Sequence, residues 1–129
     1  MTADKHELIV REFLTAMGPT PEDVRAAVDR YLTDDCVWEN PGAPVCRGKG
    51  EILALMPADF ARLEVRFLHL ATAADTVLAE RVENMFRVDG TPIALNLKVM
   101  AAFELRAGRI SAWRDYFDST NLISEHPEW

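Results

Sequence analysis

Residues Thr76–Asp118, TVLAERVENMFRVDGTPIALNLKVMAAFELRAGRISAWRDYFD, decide the fold. Three β-rich runs, Thr76–Val88, Pro92–Leu105 and Arg109–Asp118, are divided only by Asp89-Gly90 and by Arg106-Ala107-Gly108. Both dividers are the short, glycine-bearing punctuation that closes hairpins. A fourth run, about Arg62–Ala71, precedes them. Sequential strands joined this tightly predict an antiparallel meander. Strands usually span about 5–6 residues, and runs twice that long predict a strongly curved sheet.

Upstream of the meander the period changes to that of a helix. Leu8, Ile9, Phe13, Leu14 and Met17 recur at helical spacing until Gly18-Pro19. Thr20-Pro21-Glu22-Asp23 then reads as a new start, with an N-cap threonine, proline at the first helical position and acids in the first turn. Val24, Ala27, Val28 and Tyr31 continue its apolar face. A short strand is expected at Cys36-Val37-Trp38, then a loop through Asn40-Pro41-Gly42-Ala43-Pro44, then a third helix from about Gly50 to Phe60, kinked or ended by Pro57. Three helices ahead of a meander make an α+β layout. The helices are expected to close the concave side of the sheet into a cone with one open mouth.

The chain has 129 residues, within the roughly 150 that one domain takes, so residues 1–129 are read as a single domain. At 49% hydrophobic it can build a full core. Its 14 basic and 21 acidic residues leave a net charge of −7, the wrong sign for a phosphate-tracking surface, and no nucleic-acid partner is expected. No stretch is apolar for the ~18 residues of a membrane span. The opening MTADKHELIVREF is charged throughout, unlike a signal peptide. A cytoplasmic protein with no membrane partner is therefore expected. Cys36 and Cys46 have no CxxC spacing and are read as reduced, inert thiols. His6, His69 and His126 lack ligand spacing, so no metal is expected. His69 is read as a structural histidine, and Asp34, Asp35 and Asp118 as turn or strand-end acids. Arg47-Gly48-Lys49-Gly50 is too short for a phosphate cradle and reads as the lead-in to the third helix. The tail Glu125–Trp129 is read as frayed or packed at a subunit interface.

Alternation on a strand sends residues i and i+2 to one face. Ala79, Arg81, Glu83 and Met85 therefore share a face, and so do Trp113, Asp115 and Phe117. If both faces point inward, one arginine and two carboxylates meet in an apolar cavity, where Met85, Leu97, Val99, Trp113 and Phe117 would receive a small apolar substrate. A guanidinium can hold two carboxylates that share one proton. Such a pair can act as general acid and general base. By spacing alone, Arg-x-Glu reads more readily as a solvated ion pair, and Asp115 beside Arg114 as a strand-end salt bridge. The run Trp113-Arg114-Asp115-Tyr116-Phe117-Asp118 shifts the balance toward chemistry.

That run resembles the limonene-1,2-epoxide hydrolase family, within the larger NTF2-like or SnoaL-like cone fold. The resemblance extends over nearly the whole chain. It takes in Asn40 before a proline, Glu80-Arg81-Val82-Glu83, and the hairpin Phe103-Glu104-Leu105-Arg106-Ala107-Gly108-Arg109-Ile110. It implies a cofactor-independent epoxide hydrolase in which Arg81 bridges two acids, Asp115 is the general base and Asn40 orients the attacking water. The family's proton-donating aspartate falls on Glu83 and its water-holding tyrosine on Trp38, whose indole N–H donates but cannot accept. The resemblance also implies a homodimer formed through the open sheet face. Two other functions use the same cone: a ketosteroid-isomerase-like or cyclase-like proton shuttle, which incorporates no oxygen from water, and a binding module. The last need not bring Arg81 within hydrogen-bond reach of both acids.

Overall fold

The computed structural model describes residues 2–121, so the tail from Glu125 to Trp129 lies outside them. Helix α1 spans Thr2–Thr15. Val10, Phe13 and Leu14 are buried on its inner side, with Met17 just beyond its end. Leu8, expected on that face, is 53% exposed, and Val10 takes its place. At Gly18 the chain then crosses the strand that begins at Phe60, and an added Cβ there would lie 3.0 Å from both the Ala61 carbonyl oxygen and the Arg62 Cα. Only glycine permits that approach at a φ of +131°. The crossing is tied by the Leu63 N–H donating to the Met17 carbonyl at 2.9 Å.

Helix α2, Pro21–Tyr31, begins with a reciprocal cap. The Asp23 N–H donates to Thr20 Oγ1 and the Thr20 N–H to Asp23 Oδ2. Val24, Ala27 and Val28 are buried beneath it. Helix α3 covers Lys49–Leu55, shorter than the reading to Phe60. Met56 already has ψ 139°, the extended conformation that a following proline imposes, so Pro57 ends the helix two residues ahead of itself.

Strands β1 (Leu32–Glu39), β2 (Cys46–Arg47), β3 (Phe60–Ala73), β4 (Thr76–Arg87), β5 (Pro92–Arg106) and β6 (Arg109–Tyr116) form one mixed sheet in the order β2-β1-β6-β5-β4-β3. The meander β3–β6 is antiparallel throughout, and β1 joins β6 in parallel. β1 is longer than expected and contains Asp34 and Asp35, which read as turn acids. Its ladder with β6 shifts between Leu32 and Val37, which lets both acids stay exposed. β2 was not legible at two residues. On β5, Asn96 adopts a left-handed φ of 51°, its N–H bonded to the Asn84 side-chain oxygen at 2.8 Å, where the β4–β5 register also slips. Bulges of this kind bend a strand. The helices pack across the curved inner face, and Phe13, Leu14, Leu32, Ile52, Phe103 and Ile110 anchor the core.

Candidate active site

β4 and β6 deliver the charged residues to the inner face by alternation alone. Arg81, Glu83 and Asp115 are 1%, 5% and 7% exposed, among the apolar core. Arg81 Nε donates to Glu83 Oε2 at 2.7 Å and its Nη2 donates to Asp115 Oδ1 at 2.8 Å. The arginine thus reaches both acids, which is the geometry that a binding module does not require. No hydrogen bond from the described residues reaches the second oxygens, Glu83 Oε1 and Asp115 Oδ2. Arg81 Nη1 is buried with no hydrogen-bond partner among the described residues, and the guanidinium carbon lies 5.7 Å from the Phe103 ring centre.

A cavity of about 300 Å³ opens beside this group. Glu83, Asp115 and Asn40 supply its polar side chains, and Trp38, Met85, Leu97, Trp113 and Phe117 line it with Met17, Phe60, Leu63 and Ile93. Leu55, Met56 and Pro57, at the end of α3, and Pro41 and Ala43, after β1, complete the wall. Two expected residues stand elsewhere. Val99 lines no part of the cavity; it pairs with Arg81 across the β4–β5 ladder and packs with Ala94 and Leu97. Arg81 itself lies behind the acids, with a side chain wholly removed from solvent. It holds the carboxylates without lining the space they face.

Burial and charge act together on this group. Burial pushes the Glu83 carboxyl above its ordinary value, the Arg81 cation works against that, and the charge on Asp115 adds to it. For Arg81, burial alone would favour deprotonation, but Asp115 and Glu83 outweigh it and hold the guanidinium cationic. Cys36, in contrast, is an inert thiol, pushed up to about 12 by burial. His69 lies on the surface, its Nδ1 2.7 Å from Glu80 Oε1. Among the described residues, no cluster of three or more His, Cys, Asp or Glu side chains is arranged to hold a metal ion.

The sequence reading missed one contact. The Trp113 N–H donates to Asp115 Oδ1 at 2.9 Å, the same oxygen that Arg81 takes. The i, i+2 spacing on β6 put the two on one face, which signalled proximity but not the bond. Trp113 is in turn stacked on Trp38, with ring centres 4.5 Å apart and 19° between planes.

The catalytic-domain model of limonene-1,2-epoxide hydrolases matches residues 5–128. The chain is 34% identical over 116 residues to the epoxide hydrolase EphG of Mycobacterium tuberculosis, an alignment covering 88% of this chain and 74% of that protein. The solved structure of a limonene-epoxide-hydrolase-like epoxide hydrolase from M. tuberculosis superposes with a TM-score of 0.76 at 28% identity, over 95% of this chain and 89% of that one. An NTF2-like protein from Burkholderia pseudomallei, 17% identical over 90% of this chain and 92% of that one, superposes with a TM-score of 0.72 and shares the fold.

Proposed function

The chain belongs to the limonene-1,2-epoxide hydrolase family and is an epoxide hydrolase, and from that premise we propose that it opens small apolar epoxides, terpenoid-like in size and polarity, by direct attack of water. Asp115 is the base, Glu83 the acid and Arg81 the cation that holds them. The observation that carries this is the pair of buried carboxylates bridged by one buried arginine, both facing an apolar cavity.

Because Oδ1 of Asp115 is occupied by Arg81 and Trp113, Oδ2 is the oxygen free to take a proton from water. Asn40, on the same wall, orients that water. The water oxygen bonds to an epoxide carbon as that carbon's bond to oxygen breaks, and the departing oxygen takes the proton of Glu83, carried on the free Oε1. One epoxide and one water give one diol. Asp115 ends protonated and Glu83 ionised, and a proton passes back to reset the pair. The raised Glu83 carboxyl suits the donor, since it keeps its proton to higher pH than an exposed glutamate.

Turnover of limonene oxide, cyclohexene oxide, styrene oxide and a steroid epoxide would test this. Diol formation from at least one neutral member, reduced about 10²-fold or more in Asp115→Asn, is expected. Full activity in that variant would end the assignment of the base. We also propose that two copies pair through the outer sheet face, where Leu78, Met100 and Tyr116 stand exposed on neighbouring strands. The molar mass in solution tests it. No helix among the described residues is long and apolar enough to cross a membrane, and the two free cysteines suit the cytoplasmic setting we assign.

A further inference from the structure

We propose that Trp38 is a positioning residue: its indole, stacked on Trp113, keeps the Trp113 N–H on Asp115 and so fixes the carboxylate that receives the proton of water. This rests on the reading of Asp115 as the base. Trp38 and Trp113 face one another across the parallel β1–β6 ladder. Three rings box Trp113: Trp38 on one face at 4.5 Å, Phe103 nearly parallel at 6.0 Å, and Phe13 edge-on at 5.1 Å and 89°. Of those three, only Trp38 also lines the cavity. A rigid box matters here because the Trp113 N–H meets Asp115 Oδ1 alongside Arg81 Nη2, and a tilt of the indole would break that bond while leaving the ion pair.

Trp38 contributes through its ring face. Its own N–H is buried without a hydrogen-bond partner among the described residues, which is unfavourable for a polar group. An indole has no lone pair with which to accept a hydrogen bond from water. The position to which the family resemblance assigns a water-holding tyrosine therefore acts in this chain through a second tryptophan, and the water is left to Asp115 and Asn40. The charged groups placed against Asp115 are Arg81 and Glu83 of β4, and β5 presents Ala101 opposite it. A change in how Asp115 titrates on altering Trp38 thus reports the Trp113 bond.

The test follows the Asp115 carboxyl by ¹³C NMR, assigned by its loss in Asp115→Asn, together with the pH profile of kcat on an epoxide that the wild type turns over. Trp113→Phe removes the N–H and is expected to move the Asp115 midpoint up by about one unit, the scale of one charge-assisted hydrogen bond. Trp38→Leu is expected to move it the same way by about half as much, with the acid limb of kcat following and KM little changed. Trp38→Phe, which keeps an aromatic face, should recover most of the shift. In the double variant, Trp38→Leu should add nothing to Trp113→Phe, because both act through one bond. An unmoved midpoint in Trp38→Leu, or additive shifts in the double variant, would overturn the proposal. If Trp38→Leu does not fold, Trp38→Met, which also lacks an aromatic face, takes its place in the cycle under the same criteria. The NMR titration needs no substrate: a Trp38-dependent midpoint without epoxide turnover would sink the hydrolase reading alone, and turnover with a Trp38-independent midpoint would sink only the clamp.

Discussion

Replacing Arg81 by methionine would strip the one cation from between two carboxylates that are 5% and 7% exposed. Two charge-assisted hydrogen bonds, of 2.7 and 2.8 Å, disappear, while the flexible thioether fills most of the vacated volume. Removing one partner of a buried ion pair costs about 3–5 kcal/mol, because the remaining charge is left uncompensated. Against this, the variant no longer buries a guanidinium whose Nη1 lacks a partner among the described residues. The low end of the range, about 3 kcal/mol near neutral pH, is therefore expected. In a chain of this size 1 kcal/mol moves Tm by about 4 °C, so the loss should be about 12 °C. The sign with pH follows from linkage. Once the cation is gone, protonating either acid relieves the other, so stability recovers as pH falls and the deficit should shrink markedly toward about pH 5. Thermal melts followed by circular dichroism at both pH values measure it. Adding Glu83→Gln and Asp115→Asn to the variant should regain most of the loss, since a whole buried ionic group can be replaced at little cost. A loss under about 3 °C, or one equal at both pH values, would refute the view that Arg81 is what makes two buried acids tolerable.

Two further outcomes are expected. Glu83→Gln should cut epoxide turnover about 10²-fold or more and flatten the pH dependence of Tm. In the wild type Glu83 is raised from an ordinary 4.5, so its contribution to stability is full below that value and is lost as pH rises through the folded-state pKa; a glutamine has nothing to lose. Tm from acid to alkaline pH checks this, and an unchanged slope would contradict it. Thr20→Ala should remove the reciprocal cap of α2 and destabilise by about 1 kcal/mol in denaturant titration, with kcat unaltered because neither Thr20 nor Asp23 lines the cavity.

The acids and their arginine were legible because the strand period of two leaves no freedom: once Arg81 faces inward so does Glu83, and once Trp113 does so does Asp115. The cap at Thr20-Pro21-Glu22-Asp23 and the Asp89-Gly90 and Ala107-Gly108 turns were legible for a similar reason, since their chemistry is local. What failed depended on contacts between distant segments. The two-residue β2 exists only through its pairing with Val37 and Trp38. Asp34 and Asp35 look like turn residues until the register of β1 on β6 slips to keep them exposed. The bend at Asn96 comes from a side chain on the neighbouring strand. The same limit applied to Val99, which pairs with Arg81 across the β4–β5 ladder and lines no part of the cavity. It applied also to the Trp113–Asp115 bond, which depends on a rotamer set by Trp38, Phe13 and Phe103.

The central claim is that water, not a side chain, attacks the epoxide. It is tested most directly by a single turnover in ¹⁸O-labelled water, with enzyme in excess over an epoxide that it hydrolyses. The diol should carry one labelled oxygen in that first turnover, and the protein none. An unlabelled diol, with label appearing in the Asp115 or Glu83 carboxyl, would mean that a carboxylate attacks first through a covalent ester, and would contradict the assignment of Asp115 as a base.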